Sequence, residues 1–305
     1  MFFRNLTLFR FPKSSSKSLN ELEDLLAEHR LRPCGPIELA TRGFVSPYGR
    51  DSDELTHRSG NYSMVAIGGE DKLLPSSVIG EALAQKIAEI TDKEARRIGA
   101  RERKRLKEEV MTDLLPRAFV RPSRLLAYLD ADAGWLLVDT ASRKAAEEAV
   151  SQIRDALGRF PATPMAPSDS PRTLMTDWLV SGKLPPGLSL GDECELRDPA
   201  EAGAVVRCRR QDLESDEVRE HLKSGKQVFQ VGLELDERIA FVLGEDLTIR
   251  KFRFLDIVMD ELGDDSAESA REELDARFVI MTLETKRLLE KLDEWFGLPR
   301  PDERD

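Results

Sequence analysis

Apolar and polar positions divide the chain into segments with distinct periods. Met1 to Phe11 mixes the two in a β-like run, and a strand is expected there. Leu19, Leu22, Leu25 and Leu26 then recur at helical spacing, which predicts an amphipathic helix over roughly Ser18 to Leu31. Arg32-Pro33-Cys34-Gly35-Pro36 stops it. Met64, Val65 and Ile67 predict a second strand over Asn61 to Gly68. Pro75 suits a first helical turn, and Ile79, Leu83, Ile87 and Ile90 follow at helical spacing. The period resumes at Leu106, Val110 and Leu114. A helical region from Pro75 to Leu114 would span roughly 60 Å if unbroken, at about 1.5 Å per residue. Between Thr91 and Arg105 only Ile98 is large and apolar, and Gly99 marks either a bend or a helix–helix turn. The ends of this region can pack, while its middle should project into solvent.

Leu125 to Asp130 and Trp135 to Asp139 flank Asp132-Ala133-Gly134, a β-hairpin signal. Ala145, Ala149, Ile153 and Leu157 form one stripe of a helix over Ala141 to Leu157. Phe160 to Pro171 holds four prolines and reads as a connector between domains. Leu174 to Val180 is a short helix. From Cys194 onward the pattern turns β-rich: Val205 to Arg210, Gln227 to Leu235, Arg238 to Leu243 and Leu247 to Leu255 read as strands. Glu214 to Leu222 is a helix, and Asp236-Glu237 joins two strands of a hairpin. Phe278 to Leu283 is a further strand candidate, followed by a helix over Glu284 to Phe296. Helices mixed with hairpins and no βαβ rhythm indicate an α+β fold with mixed antiparallel sheets and helices. Three parts are expected: 1–74, α+β; 75–160, the long basic helical region with a hairpin and a helix; 161–305, β-rich with an acidic helical end.

Composition narrows the chemistry. The 305 residues carry 46 basic and 57 acidic side chains, a formal charge of −11. Taken as an average, that charge argues against nucleic acid. No run approaches the about 20 apolar residues of a membrane-spanning helix, and the start lacks a signal-peptide pattern. Three scattered cysteines, Cys34, Cys194 and Cys208, suggest a reducing, cytoplasmic compartment and no disulfide framework. There is no P-loop, no dinucleotide-binding fingerprint and no cysteine–histidine metal spacing. Thr56-His57 and the acidic pair Asp264-Asp265 read as polar loop and solvated surface rather than catalytic groups. No enzyme, cofactor or metal site is expected.

Charge is unevenly distributed. Lys93 to Lys107 holds eight basic residues (Lys93, Arg96, Arg97, Arg101, Arg103, Lys104, Arg105 and Lys107) against Glu94 and Glu102, a local net of +6. A solvated helix stabilised by i,i+4 pairs would balance its signs; this one does not, and it reads as an arm for a polyanion. A second basic set lies on the expected strands. Arg207 and Arg209, two apart, share a strand face. Arg210 and Gln211 follow, Lys223 and Lys226 flank the next strand, and Arg250, Lys251 and Arg253 lie in the last. Leu255 to Asp305 holds sixteen acids and seven basic residues, a net of −9, leaving −2 for the rest. Few aromatics and no base-reading motif favour duplex bound through phosphates. The acidic end is expected to face away from it.

These residues resemble the bacterial recombination-associated RdgC family. The resemblance runs from Phe3-Arg4-Asn5-Leu6 almost to Gly297. It rests on Arg32-Pro33-Cys34-Gly35, Leu55-Thr56-His57, Leu74-Pro75-Ser76, Leu114 to Phe119 (LLPRAF), Val138-Asp139-Thr140-Ala141-Ser142, and Val206 to Leu213 (VRCRRQDL). It implies an elongated multi-domain subunit, paired as a ring-shaped homodimer that passes non-specific duplex DNA through a basic hole. It also implies restraint of RecA-driven recombination and association with the nucleoid. Phe119 would then be an apolar contact at a subunit interface, and Arg209, Arg210 and Gln211 a strand end facing DNA. Arg96 to Lys107 matches a family segment but is richer in arginine and contains Gly99. After Ser142, Arg143-Lys144-Ala145-Ala146-Glu147 departs from a more lysine-rich pattern. The DNA-contacting set expected here is Arg96, Arg97, Arg101, Arg103, Lys104, Arg207, Arg209, Arg210, Gln211, Lys223 and Lys226. The rival expectation is a protein–protein adaptor that docks its basic helix on an acidic partner without binding DNA.

Overall fold

The computed structural model describes residues 2–200, 203–261 and 269–301; the acidic pair Asp264-Asp265 lies outside them. Two antiparallel sheets carry the architecture. The first has seven strands: β1 (Thr7–Arg10), β2 (Ala40–Val45), β3 (Thr56–Ser59), β4 (Tyr62–Lys72), β5 (Val120–Asp130), β6 (Trp135–Val138) and β7 (Thr163–Pro164). Its order is β2-β4-β5-β6-β1-β7, with β3 beside β4 on the edge that β2 continues. Before β2 lies α1 (Leu22–Ala27). Between β4 and β5 come α2 (Ser76–Glu94) and α3 (Ala100–Leu114), and after β6 comes α4 (Arg143–Leu157). The second sheet follows α5 (Pro171–Ser181) and contains β8 (Leu188–Arg197), β9 (Val205–Arg209), β10 (Gln227–Leu235), β11 (Ile239–Gly244) and β12 (Ile249–Phe254). Its order is β12-β11-β10-β8-β9. Helix α6 (Asp216–Lys223) joins β9 to β10; α7 (Asp256–Glu261) and α8 (Ala270–Phe296) end the chain.

Alternation explains why the centre of the first sheet is apolar on both faces. Met64 and Ala66, Leu126 and Tyr128, and Trp135 and Leu137 point to one side. Val65 and Ile67, Ala127 and Leu129, and Leu136 and Val138 point to the other. The second side packs against Leu22 and Leu26 of α1 and Ala146, Ala149, Val150 and Ile153 of α4. The first joins a larger core with Phe278, Leu288, Leu292 and Phe296 of α8 and the inner face of the second sheet. Continuous apolar runs in β4–β6 therefore mark strands covered twice.

Three expectations change. Phe278 to Leu283 is not a strand but part of the 27-residue α8. Its Phe278, Met281 and Thr285 lie three and four apart and are buried with Leu288, Leu289 and Leu292, so helical packing overrides the local β-like composition. β2 and β3 arise in stretches that showed no period, and β8 begins at Leu188, ahead of Cys194. The helical region from Pro75 to Leu114 is not a single rod. It reverses after Glu94 and α3 returns alongside α2. The residue that takes the left-handed conformation is Ala95 (φ 50°), while Gly99 is extended and precedes α3. At the expected hairpin, Gly134 (φ 73°) closes the β5–β6 turn, and the Asp130 carboxylate accepts the Asp132 and Ala133 N–H groups.

Several family motifs have structural roles. Asp139 accepts the Arg4 and Asn5 N–H groups, pinning the start of the chain, and Ser142 caps α4 at Ala145 N. Glu23 accepts the N–H groups of Leu55 and Thr56. Arg32 forks onto Glu38 at 2.5 and 2.6 Å, and Glu38 also accepts the Gly35 N–H. The Arg32 hydrogen bond, with that from Gly35, holds the Glu38 carboxyl down at about 2.

Candidate nucleic-acid interface

Helices α2 and α3 form an antiparallel hairpin growing from one end of the first sheet. α2 buries Ile79 and Leu83, and α3 buries Leu106 and Val110. Lys86 reaches from α2 to Glu109 (3.1 Å) and Asp113 (3.6 Å) of α3. Beyond Leu106 toward the tip no large apolar side chain is buried, so the tip is held by charge. Arg96 bridges Glu94 (2.5 Å) and Glu102 (2.6 and 2.7 Å) across the reversal. Arg105 lies near Glu102 (4.0 Å) and Glu109 (3.6 Å).

That pairing takes up Glu94, Glu102, Glu109 and Asp113 and leaves most of the cations, with Glu81, Glu89, Asp92 and Glu108 as the remaining acids of the two helices. Lys93, Arg97, Arg101, Arg103, Lys104 and Lys107 lie on the hairpin's surface and, among the described residues, make no ion pair. Six cations without an ion pair of their own are therefore gathered toward the hairpin's tip, over Lys93 to Lys107. Such a cluster raises the local potential toward polyanions and can meet successive phosphates without base reading. Of the expected residues, Arg96 acts as the clamp that shapes the tip, and Arg97, Arg101, Arg103 and Lys104 have no ion-pair partner among the described residues.

The second basic set lies on β9, the outer edge of the second sheet. Arg207 and Arg209 share the outward face, as their spacing predicts, while Cys208 points inward. Arg207 is not free: its Nε lies 2.7 Å from Glu195 on β8, whose other oxygen meets Arg197 at 2.5 Å. Burial pushes the Glu195 carboxyl up, but the hydrogen bonds from Arg207 and Arg197 outweigh it and keep it low. Lys251 similarly folds onto Glu193 at 2.5 Å. Arg209 and Arg210 are exposed and, among the described residues, without an ion pair. Arg210 has φ 53°, which turns the chain as β9 ends. Gln211 donates to Glu217 (2.6 Å), Lys223 is exposed in the last turn of α6, and Lys226 donates to Ser224.

Within one chain these two basic groups stay apart. The hairpin belongs to the first sheet and β9 to the far edge of the second; among the described residues no hydrogen bond or ion pair joins them. A third set escaped the sequence reading. Arg42 (β2), Arg124 (β5) and Lys144 (α4), with Glu147 and Glu148, line an open cleft of about 760 Å³ floored by Ile67 and Leu125; Arg42 pairs with Asp71 at 2.6 Å and Lys144 with Glu148 at 3.9 Å. Arg124 donates to the Ser46 carbonyl, and burial lowers its pKa. The only signal was a cation immediately before an apolar strand.

Phe119 sits between α3 and β5 with 84% of its surface exposed, and its carbonyl accepts the Leu73 N–H. Leu73 and Val120 beside it are exposed, as are Ile37 and Leu39, whose carbonyl accepts the Lys72 N–H. This is an exposed apolar patch at one end of the first sheet, of the kind that marks an interaction surface. Within the acidic end, by contrast, α8 is built into the core: it buries nine residues, among them Glu284, which meets Arg238 at 2.8 Å. Among the described residues no three His, Cys, Asp or Glu side chains converge as a metal-holding group, and no helix is long and apolar enough to cross a membrane.

Comparison with known proteins fits this arrangement. A family model described as "Putative exonuclease, RdgC" matches residues 1–298. The chain is 48% identical over 303 residues to the recombination-associated protein RdgC of Xanthomonas campestris pv. campestris strain B100, covering 99% of this chain and all of that one. It is 49% identical over 303 residues to that of Xanthomonas axonopodis pv. citri strain 306, with the same coverage. To that of Xylella fastidiosa strain 9a5c it is 48% identical over 289 residues, 94% of this chain and 95% of the other. With the match running through both sheets, the basic hairpin and α8, the chain belongs to the RdgC family of recombination-associated proteins.

Proposed function

We propose that this chain binds duplex DNA without regard to sequence, as a ring closed from two copies, and thereby restrains RecA-driven strand exchange. The observation that carries the reading is the hairpin tip, where Lys93, Arg97, Arg101, Arg103, Lys104 and Lys107 stand at the surface and, among the described residues, make no ion pair. Arg209 and Arg210, at the edge of the second sheet, extend the same chemistry. The apolar patch around Phe119 supports a second copy as partner, because water-exposed Phe, Leu and Ile side chains gain by mutual burial. Two copies would supply two hairpins and two β9 edges to one path. DNA held this way is occupied rather than altered, so the mechanism is electrostatic and topological, without a catalytic step, in the cytoplasm and on the nucleoid.

The test is duplex binding titrated with salt. Affinity should be indifferent to sequence and fall steeply as salt rises, because each neutralised phosphate releases counterions. A flat response between low and physiological salt would overturn the reading and favour an adaptor that docks the basic hairpin on an acidic protein. Arg209→Glu with Arg210→Glu should weaken DNA binding while the dimer persists; intact binding would remove β9 from the DNA path. End-labelled duplex incubated with Mg²⁺ or Mn²⁺ should remain full length. Progressive shortening would replace the non-catalytic reading with a nuclease.

A further inference from the structure

Cys194 on β8 and Cys208 on β9 are directly opposed partners in the antiparallel ladder. Residues so placed have Cα atoms about 4.5 or 5.5 Å apart. A disulfide needs about 4.4–6.8 Å, so the register already supplies the spacing. Both are free thiols, 4% and 8% exposed, on the inner face of the sheet. Their neighbours Glu193, Glu195, Arg207 and Arg209 point the other way. The remaining cysteine, Cys34, precedes the first sheet's β2 and has its own partner, the Glu38 carbonyl at 3.4 Å.

We propose that Cys194 and Cys208 are a reversible thiol–disulfide pair, oxidised by a peroxide and reduced by a dithiol. One thiol loses its proton and its sulfur attacks a peroxide oxygen; an S–O bond forms, the O–O bond breaks, and the departing hydroxide takes the proton as water. The second sulfur then attacks the sulfenic sulfur; the S–S bond forms, the S–O bond breaks, and a second water leaves. Two thiols and one hydrogen peroxide give one disulfide and two waters, with two electrons passing from sulfur to oxygen. A dithiol reverses this by exchange and leaves as its own disulfide.

Burial raises the Cys194 thiol well above its ordinary range, so this thiol rests protonated and is slow to react. Access comes through the edge. Among the described residues β9 has one neighbouring strand, β8, and an edge strand opens more readily than a central one. Oxidation would then lock it, tying the strand that carries Arg207 and Arg209 to the body of the sheet. This last consequence rests on the DNA-binding reading; the thiol chemistry does not.

The test uses the full chain carrying Cys34→Ser. After peroxide treatment, unfolding and alkylation, both cysteines should resist alkylation and the intact mass should fall by two hydrogen atoms. Trypsin cuts after Arg197 and Arg207, so the bridge should appear as two linked peptides, and dithiothreitol should restore two alkylation sites. Cys194→Ser should abolish the linked product. The proposal falls if both thiols stay alkylatable under peroxide that fully oxidises the unfolded chain. It also falls if the products are sulfinic acids or bridges between chains. If the bridge forms and duplex affinity does not change, the redox pair stands and the role of β9 in DNA binding falls.

Discussion

Glu195 faces Arg207 across β8 and β9 at 2.7 Å, so an arginine expected to meet DNA is already held by a carboxylate of its own sheet. A phosphate reaching Arg207 must compete with that pair. We expect Glu195→Gln, which keeps the shape and removes the charge, to tighten duplex binding several-fold. The salt dependence should steepen by about 0.9 in log–log slope for each additional phosphate that the protein neutralises. Fluorescence anisotropy across a salt series would measure both; unchanged values would place Arg207 away from the DNA.

The hairpin tip should matter more to binding than to folding. Arg101→Glu, Arg103→Glu and Lys104→Glu together reverse exposed charges that have no ion-pair partner among the described residues. They should cut affinity at least tenfold and flatten the salt slope, with thermal unfolding nearly unchanged. Leu106→Ala is the opposite control. It empties a buried position between the helices and should destabilise by about 2–5 kcal/mol. If the charge reversals leave binding intact, the tip is a solvated hairpin and nothing more.

Phe119→Ser should loosen the dimer without harming the fold. The side chain is 84% exposed, and surface substitutions usually change stability by no more than about 0.5 kcal/mol. Sedimentation at low concentration should show more of the lighter species than the parent chain. An unchanged distribution would assign the interface elsewhere.

Arg238 ties the end of the chain to the second sheet. It meets Glu261 of α7 at 2.6 Å and Glu284 of α8 at 2.8 Å, and the Glu284 side chain is 5% exposed. Arg238→Ala would take that buried carboxylate's nearest partner and leave it, among the described residues, only Arg287, at 4.0 Å, a loss of about 3 kcal/mol or less. Adding Glu284→Gln removes the stranded charge and should restore much of it. Urea unfolding of the two variants would show whether the second substitution rescues the first; no rescue would mean the cost lies in packing.

His57 predicts a pH dependence. Its ring is 4% exposed, its Nδ1 lies 2.8 Å from the Tyr48 hydroxyl, its Nε2 lies 3.4 Å from Asp275, and Phe278 packs against it. Burial lowers its pKa below 6.5, assisted by Arg271 and opposed by Asp275 and Glu54. Below 6.5 the unfolded chain therefore binds this proton more readily than the folded one. The stability that His57 contributes is complete above 6.5 and is lost as pH falls from 6.5 toward the lowered folded value. Unfolding at about pH 5 and about pH 8 should show a larger drop in the parent chain than in His57→Gln; equal drops would mean that another group carries the titration.

Periods of two and of three to four were enough to locate β4, the β5–β6 hairpin, α4 and the β10–β11 hairpin, because in each the apolar face repeats within the segment itself. The excess of positive charge over Lys93 to Lys107 was equally plain, since formal charge needs no coordinates. What the sequence left open depended on partners far along the chain. Phe278 to Leu283 carries β-like residues, yet it is helical because Phe278 and Met281 meet a core already filled by both sheets. Whether Gly99 bent or reversed the helix depended on Leu106 and Val110 finding burial alongside α2, a tertiary gain. Most of all, charge on paper did not distinguish Arg97, which makes no ion pair among the described residues, from Arg96 and Arg207, which are clamped by carboxylates. Pairing depends on which acids the fold brings within about 4 Å, and for Arg207 and Glu195, twelve residues apart, only the strand register decides it.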